Sequence, residues 1–147
     1  MKLFHISDVL TVTTGRLVSS RHMDGIYDIL NFLTGDSLFT HQLPRAMNEC
    51  NPWLRTQFPR LFPEDPEMAE LLDALSESLK GLTKSELGAA CNTWVDHVRI
   101  KLQLPEMLPV YELGADMHTH INPMEEAEAM VGKDRVIKIE IDKAEES

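Results

Sequence analysis

Asp116-Met117-His118-Thr119-His120 sets three metal-binding side chains two residues apart. On a strand, residues i and i+2 point the same way, so two imidazoles can hold one divalent ion while a carboxylate adds an oxygen. Such an ion turns bound water into a nucleophile, which is the chemistry of the metal-dependent hydrolases. The neighbouring residues argue for a loop instead of a strand. Gly114 precedes the motif, and Asn122-Pro123 signals a helix start two residues after His120. Barrel hydrolases that open with this pattern need roughly 200 residues or more, whereas 27 residues follow His120 here. His5, His22, His41 and His97 are scattered and supply no second ligand pair. The motif therefore reads as ordinary loop histidines. Asp116, His118 and His120, with Glu125 nearby, stand as the secondary metal candidate, and no cofactor is expected.

A second set of candidates lies in the first third of the chain. "TTGRL" places two hydroxyls and a glycine before Arg16, a turn able to cradle an anion through backbone N–H groups. A helix stop at Gly15 explains the same residues more simply. "FTHQLPRA" gathers Thr40, His41, Gln42 and Arg45, with His41 and Arg45 one helical turn apart. A helix N-terminus exposes free N–H groups and partial positive charge, and arginine adds a planar donor fork for carboxylate or phosphate. We expect this entrance, with Arg16, to receive an acidic group from a ligand or partner. The competing expectation is that Arg45 pairs with one of the chain's own acids, Asp36 or Glu49. No Walker loop, dinucleotide-binding glycine pattern, nucleophile elbow or HExxH motif occurs.

The elements that position these residues read as follows. "KLFHI" suits a strand, and Ser7 stands as N-cap of a short helix ended by Gly15. Met23, Ile26, Tyr27, Leu30 and Leu33 recur at helical spacing before Gly35. A third helix runs over 39–50, and Asn51-Pro52 restarts the chain as a new short helix. The three prolines around 58–66 mark a connector inside one domain. Asp65-Pro66 opens a helix with a Met68, Leu71, Leu72, Leu75, Leu79 stripe. Thr83 and Glu86 form a capping box, with Leu82 and Leu87 as a hydrophobic staple, for a helix that buries Leu87, Cys91, Trp94, Val95, Val98 and Leu102. Residues 109–113 and 134–141 read as strands flanking a 123–131 helix, and 143–147 as a frayed end. The expected fold is a single α+β domain over 1–147. It is mainly helical, with a small two- or three-stranded sheet near the C-terminus that segment 2–6 can join.

Net charge is −10, with six Lys/Arg against five Asp/Glu in residues 1–60 and eight against nineteen thereafter. That acidity disfavours nucleic acid as a partner. No apolar run is long enough to span a bilayer, and "MKLFHISDVL" lacks the pattern of a signal peptide. Cys50 and Cys91 read as core residues in a reducing cytoplasm.

The stretches "HISDVLTVTTGRLVS", "DGIYDILNFLTGD" and "LFTHQLPRA", with "HINPMEEAEAMVGKDRVIKIEID" more loosely, resemble an uncharacterised family of small proteins from tailed phages and prophages. The resemblance implies a phage product made in a bacterial cytoplasm. It draws attention to Thr14, Gly15, Arg16, Asp24, Thr34, Gly35, Asp36, Thr40, His41, Gln42 and Arg45. The resulting expectation is a non-enzymatic binding protein acting on a host protein or a small anionic signalling molecule, for instance to blunt an antiviral defence. A small metal-dependent hydrolase and a phage structural component are the alternatives, and self-association is left open.

Overall fold

The computed structural model describes residues 1–114 and 118–131. Its order is β1 (Lys2–His5), α1 (Ile6–Thr14), α2 (Met23–Thr34), a 3-10 turn (Thr40–Gln42), α3 (Leu43–Gln57), a second 3-10 turn (Pro59–Leu61), α4 (Pro66–Leu79), α5 (Lys84–Leu102), β2 (Met107–Val110) and α6 (Pro123–Val131). The mainly helical expectation holds, but the sheet lies elsewhere. β1 pairs antiparallel with β2, Lys2 opposite Val110 and His5 opposite Met107. The sheet therefore ties the N-terminus to the middle of the chain. β2 also starts two residues earlier than the apolar run at 109–113 suggested, because Phe4 pairs with Leu108 and both turn into the core. The 134–141 strand and the 143–147 end lie outside the described residues.

α1 is the central element, and all nine of its residues are buried. β1 feeds directly into it, so His5, not Ser7, is the cap: its Nδ1 accepts from the Ser7 N–H at 3.1 Å. Thr11 makes this β-branched helix tolerable by donating to the Ser7 carbonyl at 2.8 Å and accepting the Val18 and Ser19 N–H groups. Asp8, 1% exposed, accepts from Ser19 Oγ and from Arg21 Nη2 at 2.6 Å. Gly25 on α2 permits this arrangement, since a Cβ there would overlap Asp8 Oδ1 and Ser19 Oγ.

α2 ends as the sequence predicts, on Gly35 in the left-handed region, φ 69°. α3 does not break at Pro52. It runs on to Gln57, because Leu43, Ala46, Cys50 and Leu54 form one continuous buried stripe across the proline. A proline removes one hydrogen bond, whereas unwinding there would expose part of that stripe. The 58–66 connector is no spacer, since Leu61 and Phe62 are buried in the same core as Phe4 and Val110.

α4 starts on Asp65, whose carboxylate accepts the Met68 N–H. The capping box of α5 forms as expected, with Glu86 accepting from the Thr83 N–H and hydroxyl. The burial of α5 differs from expectation. Trp94, Val95, Val98 and Leu102 are buried, Cys91 is half-buried and Leu87 is exposed. The first turn and a half of α5 extends past the core, so its apolar periodicity there meets solvent. Leu72 and Leu79 of α4 are likewise only partly buried. Cys50 and Cys91 are free thiols, and burial pushes the Cys50 thiol up to about 12. Among the described residues no helix is long and apolar enough to cross a membrane.

Candidate metal centre

Asp36 follows the Gly35 stop of α2, and the left-handed turn there directs the chain across the start of α3. The 118–122 loop lies against this corner, fixed by the helix start that the sequence predicts: Asn122 Oδ1 accepts the Met124 N–H at 2.9 Å, capping α6. Three ligand-type side chains meet there. Asp36, His118 and His120 each offer one atom, all within 4.8 Å of one another. Asp36 Oδ2 is 3.3 Å from His118 Nε2 and 3.2 Å from His120 Nδ1. The two imidazoles stand edge to face with centroids 4.6 Å apart.

The two nitrogens of His118 have unlike neighbours. Nδ1 is 2.6 Å from Glu49 Oε2, a short charge-assisted hydrogen bond, whereas Nε2 faces Asp36 at 3.3 Å. With Nδ1–H donating to Glu49, a lone pair on Nε2 would point at a carboxylate, so a cation between them satisfies both groups. For bonds of about 2.0–2.1 Å, a tetrahedral ion has ligand atoms roughly 3.3 Å apart. The two Asp36 contacts, which serve as hydrogen bonds without an ion, also match that edge. Glu49 would then take the part of the outer carboxylate that orients a metal-bound imidazole.

A second layer holds Glu49 in place. Arg45 Nη1 donates to Glu49 Oε1 and to the Thr119 carbonyl, each at 2.7 Å, and the Thr119 N–H donates to Glu49 Oε2 at 3.0 Å. Arg45 also grips Glu126 of α6 through Nε at 2.9 Å and Nη2 at 2.8 Å. Gln42 Nε2 donates to Glu126 Oε1 and the Ile121 carbonyl, and His41 Nε2 lies 2.7 Å from the Pro123 carbonyl. These contacts set the charges. The Glu126 hydrogen bond raises the Arg45 pKa, and the same pair lowers Glu126. Burial pushes Glu49 upward, but Arg45, the Thr119 N–H and His118 outweigh it and hold its pKa below the ordinary value. Asp36 behaves alike, with its hydrogen bonds to His118 and His120 outweighing burial.

His41, Gln42 and Arg45 therefore come together with the loop, and the acid that meets Arg45 is the chain's own. Glu49 was one of the two partners expected for it. The other, Asp36, faces the histidines instead, and Glu126 takes its place. An acidic group from outside would have to displace Glu126. Thr40 sits apart, its hydroxyl against Tyr27 Oη, and Arg16 reaches Ser76 on α4 at 3.2 Å. Glu125, named beside the motif, is exposed; its neighbour Glu126 points inward. Asp116 lies outside the described residues.

Residues 4–63 match a family described as a domain of unknown function, DUF7736. No curated protein and no solved structure matches the chain. The matched stretch contains Asp36, Gln42, Arg45 and Glu49, while His118, His120 and Glu126 lie beyond it. The body of the centre thus belongs to the matched part, and its nitrogen donors come from outside.

Acid should loosen this arrangement. Glu126 has a lower pKa folded than unfolded, so folding favours its ionised form. Its contribution is fully present above the ordinary glutamate value of 4.5 and is lost as pH falls below it. Arg45, Gln42 and His41 all face Glu126, and Arg45 keeps its charge throughout this window. With chelator present, so that only the Glu126 pairing is read, hydrogen exchange in α6 is expected to accelerate as pH falls from 5 to 4, after correction for intrinsic rates. Unchanged protection at pH 4 would contradict the pairing.

Proposed function

We propose that the protein is a metal-binding, non-catalytic binding protein whose centre is Asp36, His118 and His120. The observation that carries this reading is the pair of contacts on His118: a short bond to Glu49 on one nitrogen and a tetrahedral-edge spacing to Asp36 on the other. Two nitrogens and one carboxylate oxygen suit zinc first, with manganese and other divalent transition metals behind it. The motif contributes its two histidines, and the carboxylate is Asp36 from a distant part of the chain. Glu49, the other carboxylate touching His118, accepts from His118, Thr119 and Arg45, which leaves it unsuited to act as general base.

Purification without a histidine tag, followed by metal analysis, should return about one equivalent of zinc or manganese. Loss of an outer-shell partner typically weakens a metal site 10–100-fold, so loss of a ligand in Asp36→Asn or His118→Gln should reduce zinc affinity at least roughly 100-fold. Substoichiometric metal together with no zinc uptake in titration would refute the proposal.

Metal-assisted hydrolysis is the second reading, favoured by one observation. The His120 side chain is 60% exposed, so a fourth coordination position would lie on the solvent side, as at catalytic zinc sites. Turnover of simple ester or phosphate-ester substrates by the zinc-loaded protein, absent in Asp36→Asn, would favour it. The phage context and a host protein or anionic ligand as partner belong to the leading proposal and rest on the sequence resemblance. Co-purification from infected cells tests them.

A further inference from the structure

Resting on the metal reading above, we propose that the ion acts as a clasp, and that its occupancy decides whether residues 118–131 are docked on the helical body. The first support is the way this segment is attached. Between 118 and 129 the only buried side chains are His118 and Glu126, both polar. Hydrogen bonds and ion pairs tie it down: His118 and Thr119 to Glu49, His118 and His120 to Asp36, Arg45 to Glu126 and the Thr119 carbonyl, Gln42 and His41 to the α6 entrance. A stretch that, over 118–129, fully buries no apolar side chain opens at a lower free energy than the core does. Solvent can replace each of these bonds in turn.

The second support is charge. Residues 118–131 carry three glutamates and no lysine or arginine, on a chain of net charge −10. Arg45 offsets one of these acids, and docking sets the segment against Asp36 and Glu49 of the body. A divalent cation there reduces the repulsion that docking creates.

The third support is connectivity. The ligands come from both sides of the joint: Asp36 from the body, and His118 and His120 from the segment, separated by 82 and 84 residues. Coordination therefore works as a cross-link between distant parts of the chain, and such a link favours the joined state over the open one. A centre built wholly within the segment could bind an ion without any such effect.

Hydrogen–deuterium exchange of the full chain, with added zinc and with chelator, reads the clasp directly. Peptides from 118–131 should exchange at least tenfold more slowly with zinc, while peptides from α4 and α5 keep their rates. His120→Gln changes an exposed ligand and leaves the core untouched. It should remove the zinc effect on 118–131, with the variant's own chelated rates as the baseline, since the variant also loses the His120–Asp36 hydrogen bond. Stoichiometric zinc with unchanged exchange in 118–131 would overturn the clasp and leave the metal centre standing. Equal slowing in α4 and α5 would also overturn it, because the ion would then stabilise the whole fold. No zinc bound at all would remove both.

Discussion

Gly25→Ala is expected to destabilise the protein by about 3 kcal/mol. Helix propensity alone gives the opposite sign, since alanine is better than glycine inside a helix by roughly 1 kcal/mol. The steric effect wins because α2 crosses α1 at this point. A Cβ on Gly25 would overlap Asp8 Oδ1 and Ser19 Oγ and come within 3.0 Å of Asp8 Cγ. Those atoms have nowhere cheap to go. The Asp8 side chain is 1% exposed and is held by Ser19 and Arg21. Moving it either separates a buried carboxylate from its donors or pushes the helices apart, and overpacking of this kind costs about 1–3 kcal/mol before any loss of pairing. Gly88→Ala is the control. Gly88 is helical and exposed, and a Cβ there meets nothing within 4 Å. It should stabilise by up to about 1 kcal/mol. Denaturant unfolding of both variants measures the contrast, and a neutral Gly25→Ala would refute the close crossing.

Arg45→Ala should cost roughly 2–3 kcal/mol. The side chains of Arg45, Glu49 and Glu126 are 23%, 20% and 8% exposed, so these pairs are not discounted as surface ion pairs. Removing the guanidinium leaves two carboxylates facing each other's neighbourhood without a cation. The loss is bounded, because once 118–131 lets go, Glu126 returns to water and its penalty ends. The main effect should therefore appear as lost exchange protection in α6, with a smaller fall in global stability. Arg45→Lys should recover little, since an ammonium cannot reproduce the two-pronged contact with Glu126. The alternative role, in which Arg45 waits for an acid from a partner, requires an unchanged melting temperature with lost binding. Unfolding curves and partner or metal binding, measured on the same variant, separate the two.

Much of this architecture was legible locally. Gly15 and Gly35 as helix stops, Asp65, Thr83 and Asn122 as helix starts, and the helix at 123–131 all follow from interactions within a few residues: caps, left-handed turns and the constraint proline puts on its neighbours. Where local signals failed, a longer-range balance decided. Pro52 would end an isolated helix, but burial of Cys50 and Leu54 on one stripe carries α3 through it. Leu87 has the right spacing for a core position, yet α5 outruns the core. Strand pairing is the least local of these features, and the partner of β1 is set by which apolar faces the packed helices leave uncovered.

The candidate site divides along the same line. Sequence alone determined that His118 and His120 lie on a loop before a helix, and that Arg45 stands at a helix entrance with acids in reach. It also pointed away from a strand under the histidines, and residues 118–120 are indeed in no strand. Tertiary structure alone decided that the carboxylate facing both histidines is Asp36, more than eighty residues away, that Glu49 supports His118, and that Glu126, not Glu125, turns inward to Arg45. The physical reason is that ligand geometry depends on angstrom-scale distances between elements, which follow from how helices pack. Spacing along the chain fixes which residues share a face, and not what that face meets.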